Sequence, residues 1–316
     1  MRKFSYFLLL LVFVTTTACN LKTKRSEVAK KPGTKAEQVT AKGRDEEAAQ
    51  EELEMRPEVS RPKGQSVGLI LGPGGMKTFA HLGVLKEFEK AKIPVRAVVG
   101  LEMGALMGAF YSATGSANEA EWKLFKLKEE DLAEKSLFQS KDKMSSVNNL
   151  LEFTKKELGA KNISEFKVSF SCMSLSMRDE KVYILDNGNA VNALKNCLPY
   201  PPLFKPSGDR LAAVNYVKQA ADFLKNNGMD VVVLVNVISA GKFMSDEQAN
   251  EQPVLANLWI QTRKSLLESE PLVDYTITID TKNMGLNGFE YRRALIQTGG
   301  NDGRQQVSIF ANKFGF

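Results

Sequence analysis

Histidine and cysteine are scarce in this 316-residue chain, which has one histidine and three cysteines. These side chains form no CxxC or HExxH motif and no disulfide framework, so neither a metal site nor any other cofactor is expected. A Ser-His-Asp triad would have to use His81, because the chain has no other imidazole. The sequence also lacks a basic stripe interleaved with aromatic residues. With a formal net charge of only +6, it does not indicate nucleic-acid binding.

The N-terminus has a pattern typical of an export signal. Basic residues precede an apolar stretch over Phe7–Val14 that is too short to span a membrane. The small residues before Cys19 resemble a bacterial lipoprotein signal, although Thr16 stands where leucine is usual. This resemblance implies cleavage after residue 18, acylation of Cys19 and anchoring in the bilayer of the cell envelope, with Asn20 favouring the outer membrane. An ordinary secretory signal with Cys19 merely nearby is the alternative.

Residues 19–64 have the composition of a flexible tether. They are rich in Lys, Glu, Ala, Arg and Pro and have almost no large apolar side chains. Such a segment cannot bury enough surface to offset the entropy of ordering. The early basic residues of the tether either attract anionic lipid head groups or belong to a solvated leash. We therefore predict three parts: a signal over residues 1–18, a tether over 19–64 and one globular domain over 65–316.

The globular part alternates predicted strands with predicted helices. Short apolar runs over Val67–Leu71 and Val95–Val99 are typical of buried strands, and a predicted helix follows each, at Phe79–Lys90 and Ala105–Tyr111. This order predicts an α/β fold with a mainly parallel sheet. The further predicted strands are Phe166–Leu175, Val182–Leu185, Val231–Val237 and Tyr275–Ile279, and the predicted covering helices are Trp122–Leu132 and Val147–Leu158.

Glycine-rich motifs follow the first two predicted strands. The first is Gly72–Lys77 (GPGGMK), which leads into an HLGVL helix, and the second is Gly100–Gly104 (GLEMG). They resemble the glycine loop and the Gly-x-Ser-x-Gly elbow of the patatin-like phospholipases, although Pro73 and Thr78 replace glycines of that family. The resemblance implies an oxyanion-type loop and an elbow, formed respectively by Gly72, Gly74, Gly75, Met76 and Lys77 and by Gly100, Glu102 and Gly104.

The resemblance extends downstream, over about residues 66–300. A proline-rich turn at Leu198–Phe204, a Gly-x-Asp strand at Gly228–Val233 and a closing segment at Leu286–Phe289 resemble later blocks of the same family. They imply the patatin-like three-layer fold, with helices on both faces of the sheet. They also imply the chemistry of a serine acyl hydrolase, a phospholipase or esterase whose serine and aspartate form a catalytic dyad without a cofactor.

Both members of the implied dyad are replaced in this sequence. Glu102 stands at the nucleophile position. Counting from the proline turn places Val214 at the aspartate position, and counting back from the downstream strand places Ala212 there. Asp209 and Asp222 lie too far out of register to be substitutes. We therefore expect that no catalytic residue is intact.

Glu102 is not an equivalent acyl acceptor, because an acyl-glutamate would be a reactive anhydride. The free N–H groups at a helix start can hold a carboxylate, and we hypothesise that Glu102 fills the anion site and leaves the pocket inert. The alternatives are Glu102 or, less favoured, His81 as a general base. Lys77 is interpreted as making a structural contact near the loop. Cys172 and Cys197 are interpreted as buried small hydrophobic residues.

Three classes of function remain open at this point. The first is a non-catalytic module whose groove binds lipid, an acyl chain or a protein partner. The second is a diverged acyl hydrolase with a non-standard site. The third is a structural component of the envelope.

Overall fold

The computed structural model describes residues 65–132 and 144–316 of the chain. The predicted signal, the predicted tether and Cys19 lie outside these residues. Among the described helices, none combines the length and apolar character that crossing a membrane requires. The predicted boundary between the tether and the globular domain at residue 65 stays a prediction.

Seven strands and ten α-helices make up the described part of the chain, together with four short 3-10 helices. The strands are β1 Val67–Leu71, β2 Val95–Gly100, β3 Ser169–Ser176, β4 Val182–Leu185, β5 Arg210–Ala212, β6 Val231–Ala240 and β7 Tyr275–Asp280. The helices are α1 Ala80–Lys90, α2 Met103–Thr114, α3 Ala117–Leu124, α4 Glu129–Leu132, α5 Asn148–Leu158, α6 Ala190–Cys197, α7 Val217–Asn226, α8 Asp246–Glu251, α9 Pro253–Ser269 and α10 Arg292–Phe314.

All seven strands belong to one sheet, flanked by helices. Its order is β4-β3-β2-β1-β6-β7, and β5 pairs with β3 outside this path. The pairs β1–β2, β1–β6, β2–β3 and β6–β7 are parallel, whereas β4 and β5 run antiparallel to β3. The predicted α/β class with a mainly parallel sheet is confirmed.

The central strands β1 and β6 are largely apolar because both of their faces are covered. All five residues of β1 and the first eight of β6 are buried. A strand buried on both sides reads as a continuous apolar run rather than as an alternating one. This property made β1, β2 and β6 visible in the sequence.

Two predicted elements differ in the structure. The predicted strand Phe166–Leu175 begins only at Ser169, because a 3-10 turn occupies Ile163–Glu165 just before it. The single predicted helix Trp122–Leu132 is wrong, since α3 ends at Leu124 and α4 begins at Glu129. Between them, the carbonyl of Leu127 accepts a hydrogen bond from Arg292 at 2.7 Å, a side-chain partner in place of a helical amide.

Cys172 and Cys197 are joined by a disulfide, so the interpretation of two separate small hydrophobic residues is wrong. Both side chains are fully buried, as that interpretation required. Cys172 lies on β3 and Cys197 ends α6, and their Cα atoms are 6.0 Å apart, within the usual disulfide range. The contact depends on α6 folding back onto the sheet, and two cysteines 25 residues apart carry no local signal of it.

Helices α1 and α10 touch through their backbones. A Cβ atom added to Gly299 would lie 2.0 Å from the carbonyl oxygen of Ala80, and one added to Gly83 would lie 2.1 Å from that of Ile296. Glycine is therefore required at both positions by the close approach of the two helices. Because α1 follows directly from the glycine-rich loop, α10 supports that loop from behind.

We expect Gly299→Ala to lower the free energy of unfolding by about 1 to 3 kcal/mol, because the new methyl group forces the two helices apart. Gly300→Ala is the matched control, since its Cβ would meet the Glu87 side chain at 3.7 Å and the Gly83 carbonyl oxygen at 3.9 Å, both ordinary van der Waals contacts. That change should raise the free energy of unfolding by up to about 1 kcal/mol through helix propensity. Urea denaturation of both variants measures the difference, and equal effects would show that the helices do not touch at Gly299.

Candidate functional site

The two glycine-rich motifs meet at one edge of the sheet, because β1 and β2 are parallel and end together. Leu71 pairs with Gly100, and the Leu101 amide donates to the Leu71 carbonyl at 3.0 Å. The start of α2 lies directly against the end of β1: a Cβ on Gly104 would be 2.3 Å from the Leu71 carbonyl oxygen. Gly104 is thus the residue that lets the second motif close onto the first.

Glu102 lies at the sharp turn between β2 and α2. Its backbone has φ 54° and ψ −129°, a conformation that non-glycine residues seldom adopt. Gly100 permits this turn, because a Cβ there would lie 2.2 Å from the Cα of Ala105. A strained strand-turn-helix of this kind presents the residue at its apex toward the site.

The carboxylate of Glu102 accepts two hydrogen bonds from the glycine-rich loop. Its Oε2 atom lies 2.9 Å from the amide nitrogen of Gly74 and 2.9 Å from that of Gly75. The Glu102 side chain is buried, with 1% of the residue exposed. Two backbone amides converging on one oxygen at this distance have the geometry of an oxyanion hole. The structure therefore brings Gly74, Gly75 and Glu102 together, as the hypothesis of a self-filled anion site requires.

The amides of the other loop residues donate hydrogen bonds to backbone carbonyl groups. Gly72 donates to Val235 at 3.0 Å, Met76 donates to Leu286 at 2.7 Å and Lys77 donates to Gly74 at 3.0 Å. Among the five predicted loop residues, Gly74 and Gly75 alone aim their amides at Glu102.

Lys77 ties the loop to the segments that follow β6 and β7. Its buried Nζ atom donates to the carbonyl of Lys242 at 2.6 Å and to the Thr281 hydroxyl at 2.7 Å. Burial, together with the nearby charge of Arg263, lowers the pKa of Lys77 to about 7. Lys77 therefore makes the structural contact near the loop that the sequence analysis assigned to it.

His81 also serves the loop. Its Nε2 atom donates to the carbonyl of Gly72 at 2.8 Å, and Nδ1 has no hydrogen-bond partner among the described residues. Complete burial lowers the pKa of His81 to about 4, so the ring is neutral at physiological pH. The imidazole is packed and bonded to the loop, which is the reading that the sequence favoured over a general base.

Strand β5 leads the chain to the elbow. It pairs with residues 174–176 of β3. Because β4 pairs along one edge of β3, β5 lies along the other edge, where residues 97–100 of β2 also pair with β3. The chain after β5 therefore runs toward the end of β2, and the Ala213 amide donates to Met173 at 3.2 Å. Val214 follows and is buried, with 3% exposed. The topology thus leads Val214 toward the elbow, and the assignment of Val214 or Ala212 to the aspartate position stays a prediction.

The acidic residues nearest to Val214 in the sequence form hydrogen bonds away from the site. Asp209 accepts a hydrogen bond from Ser176 at 3.0 Å, and Asp222 accepts one from Lys218 on α7 at 2.7 Å. Neither carboxylate has a hydrogen bond to the loop or to Glu102.

Tyr200 belongs to the proline-rich turn and was not predicted to be part of the site, but its side chain is a neighbour of the site. Burial raises the pKa of Tyr200, and the charge of Glu102 contributes to that rise. The ring of Tyr200 packs edge-on against Trp259 at 5.6 Å, and the Trp259 indole donates to the Pro201 carbonyl at 2.9 Å. Helix α9, which holds Trp259, was not predicted.

The part of the chain that contains this site matches a known protein family. The model of the patatin-like phospholipases matches residues 69–219, which include both glycine-rich motifs and Val214. Residues 69–219 are a patatin-like phospholipase domain. The family consists of lipid hydrolases and typically uses a serine for acyl transfer. The resemblance stated from the sequence is confirmed for this part of the chain.

Curated relatives of the patatin-like domain are much longer proteins. Lysophospholipase NTE1 of Coccidioides immitis (strain RS) is 28% identical over 193 residues, which cover 55% of this chain and 12% of the relative. Neuropathy target esterase sws of Drosophila melanogaster is 52% identical over 48 residues, 15% of this chain and 3% of the relative. The chain therefore spans only a small fraction of either relative.

Solved structures similar to this chain include two bacterial proteins. VipD from Legionella pneumophila has a TM-score of 0.39 and 13% identity, and the alignment covers 79% of this chain and 67% of VipD. ExoU of the Pseudomonas aeruginosa type III secretion system, solved with SpcU, has a TM-score of 0.42 and 12% identity. That alignment covers 79% of this chain and 53% of ExoU.

The buried carboxyl group gives a pH prediction for Glu102→Gln. Burial raises the pKa of Glu102 from 4.5 to about 7, against the opposing effect of the backbone amides. Between these pH values the folded state holds a proton that the unfolded state has released, so the Glu102 contribution to stability declines as the pH rises through this window. From pH 4 to pH 8 the wild type should lose about 3 kcal/mol more unfolding free energy than the variant.

Urea denaturation of both proteins at a series of pH values measures this difference. Parallel stability curves for the wild type and Glu102→Gln would contradict the prediction.

Proposed function

We propose that this patatin-like domain has lost acyl-enzyme chemistry and acts as a non-catalytic binding module. The observation that carries the proposal is the pair of 2.9 Å hydrogen bonds from the Gly74 and Gly75 amides to Oε2 of Glu102. These amides have the geometry that would stabilise the oxyanion of an ester intermediate. In this chain their acceptor is an oxygen of the protein itself.

The chemistry at the elbow supports this proposal. Ester hydrolysis through an acyl-enzyme requires a nucleophile that forms a stable acyl intermediate and a base that removes its proton. The carboxyl group of Glu102 would give an anhydride, and the buried side chain of Val214 cannot accept a proton. A substrate oxyanion would also have to displace Oε2 from both amides. Three requirements of the reaction therefore fail together.

A diverged hydrolase is the second candidate, and one observation favours it. The pKa of Glu102 is raised to about 7, which is the range of an effective general base. A general base must contact the attacking water, however, and Glu102 is almost completely buried. We therefore place this candidate below the binding module.

We further propose that the protein is exported and anchored in a bacterial envelope through acylated Cys19, with the outer membrane favoured. The Cys172–Cys197 disulfide supports export, because structural disulfides persist mainly in oxidising compartments. A groove of the patatin-like domain, at the elbow, would then bind lipid, an acyl chain or a protein partner. A purely structural role in the envelope is the remaining alternative. Crosslinking in cells tests it, because a structural component should be recovered with envelope proteins and without a bound ligand.

The purified wild-type protein is expected to show no hydrolysis of p-nitrophenyl butyrate or phospholipid and no labelling by a fluorophosphonate probe. The double variant Glu102→Ser with Val214→Asp restores the family residues and frees both loop amides, and we expect it to gain probe labelling. Glu102→Ala is the matched control, since it frees the amides without supplying a nucleophile. Turnover by the wild type that Glu102→Ala abolishes would instead establish the diverged hydrolase.

Anchoring predicts that Cys19→Ser moves the protein from the membrane to the soluble fraction of a bacterial cell. The physical reason is that a tether without an acyl chain has no apolar group to insert in the bilayer. Metabolic labelling with a palmitate analogue, followed by membrane flotation, measures the effect. Wild-type protein that is unlabelled and soluble would identify an ordinary secretory signal.

A further inference from the structure

A groove of about 580 Å³ lies next to the glycine-rich loop and has no part in the chemistry described above. Its walls are the segment 242–246 after β6, the starts of α8 and α9, and the segment 283–291 between β7 and α10. Leu286 on its floor accepts a hydrogen bond from Met76, so the groove backs onto the loop. Glu102 does not line it, and the inference below is therefore independent of whether the elbow is inert.

The charges of the groove do not favour an anionic ligand. Lys242 is its one cationic lining residue, and its Nζ atom lies 3.0 and 3.1 Å from the two carboxylate oxygens of Asp246. Glu290 is the remaining charged residue of the lining. The lining therefore has two acidic groups and one paired cation, which disfavours a phosphate or a carboxylate.

The free hydrogen-bonding groups of the groove are uncharged. The side-chain amides of Gln252, Asn283 and Asn287 and the hydroxyl of Tyr291 line it without a hydrogen bond to any described residue. Each amide offers two donors and one acceptor, and the hydroxyl offers both functions. The apolar surface that the groove offers comes from the partly exposed Pro202, Met244 and Leu255, whereas Phe243 and Leu286 are almost completely buried.

Four backbone amides of the groove segment 283–291 already have partners within the protein. The amides of Met284, Leu286, Gly288 and Tyr291 donate to carbonyls of Thr281, Phe243, Gly285 and Gly288. An extended peptide is recognised mainly through main-chain hydrogen bonds. The groove offers side-chain amides instead, which favours a small ligand rich in hydroxyl groups over a peptide strand.

We propose that this groove binds an uncharged pyranose sugar. Neighbouring ring hydroxyls each donate and accept, which matches the amide oxygen and nitrogen of the Asn and Gln side chains. The C–H face of the ring is apolar and packs on the partly exposed side chains of Met244 and Leu255. The volume lies in the range of small-ligand sites. The sugar belongs either to a free oligosaccharide or to the head group of a neutral glycolipid.

Saturation-transfer NMR on the full chain tests this proposal with maltohexaose and with an N-acetylglucosamine hexamer. Flotation with phosphatidylcholine vesicles, with and without a galactosyl diacylglycerol, tests the glycolipid source. We expect binding to at least one of these sugars, and a loss of affinity of about tenfold or more in Asn283→Ala with Asn287→Ala. Soluble binding identifies an oligosaccharide, and binding restricted to galactolipid vesicles identifies a head group.

Two variants control for folding and for position. Tyr291→Phe removes one hydroxyl only and should weaken binding in a protein that folds normally. Asn257→Ala changes an exposed amide on α9, the helix that begins just after Gln252, and Asn257 does not line the groove, so this variant should leave binding unchanged. The proposal is overturned by the absence of binding to every sugar, by binding that survives both groove variants, or by transfer from an uncharged peptide library alone.

Discussion

The two hydrogen bonds that the glycine-rich loop donates to Glu102 are the interaction on which the functional interpretation depends. Two backbone amides that point at the same position form a site of positive potential, and such a site must be filled by an anion, a water molecule or a polar group. In this domain the filling group is a side chain of the elbow. The loop therefore keeps the shape of an oxyanion hole without presenting it to a ligand.

The surrounding structure holds these two motifs in register from several directions. Parallel pairing of β1 and β2 brings them to one edge, Gly104 lets α2 approach β1, and Lys77 binds the loop to the segments beyond β6 and β7. Helix α10 supports α1 through glycine contacts. None of these contacts involves the Glu102 side chain, so we expect the scaffold to fold when that residue is changed.

The sequence was informative about strands that are buried on both faces and about turns that require glycine. Continuous apolar runs identified β1, β2 and β6, and the glycines of both motifs located the loop and the elbow. Strand β5 was missed because three residues paired at the end of β3 leave little periodic signal. The Cys172–Cys197 bond and the packing of Tyr200 on Trp259 were missed for a different reason. Each joins segments that only the tertiary fold brings together, and local patterns do not encode such contacts.

The backbone of Glu102 sets a requirement on the residue that occupies this turn. A side chain held at φ 54° carries a conformational cost of about 1 to 3 kcal/mol, which glycine would avoid. The two hydrogen bonds from the loop amides offset this cost only for a side chain that brings an acceptor oxygen to the loop. A change to glycine would therefore relieve the backbone and at the same time leave two amides without their acceptor.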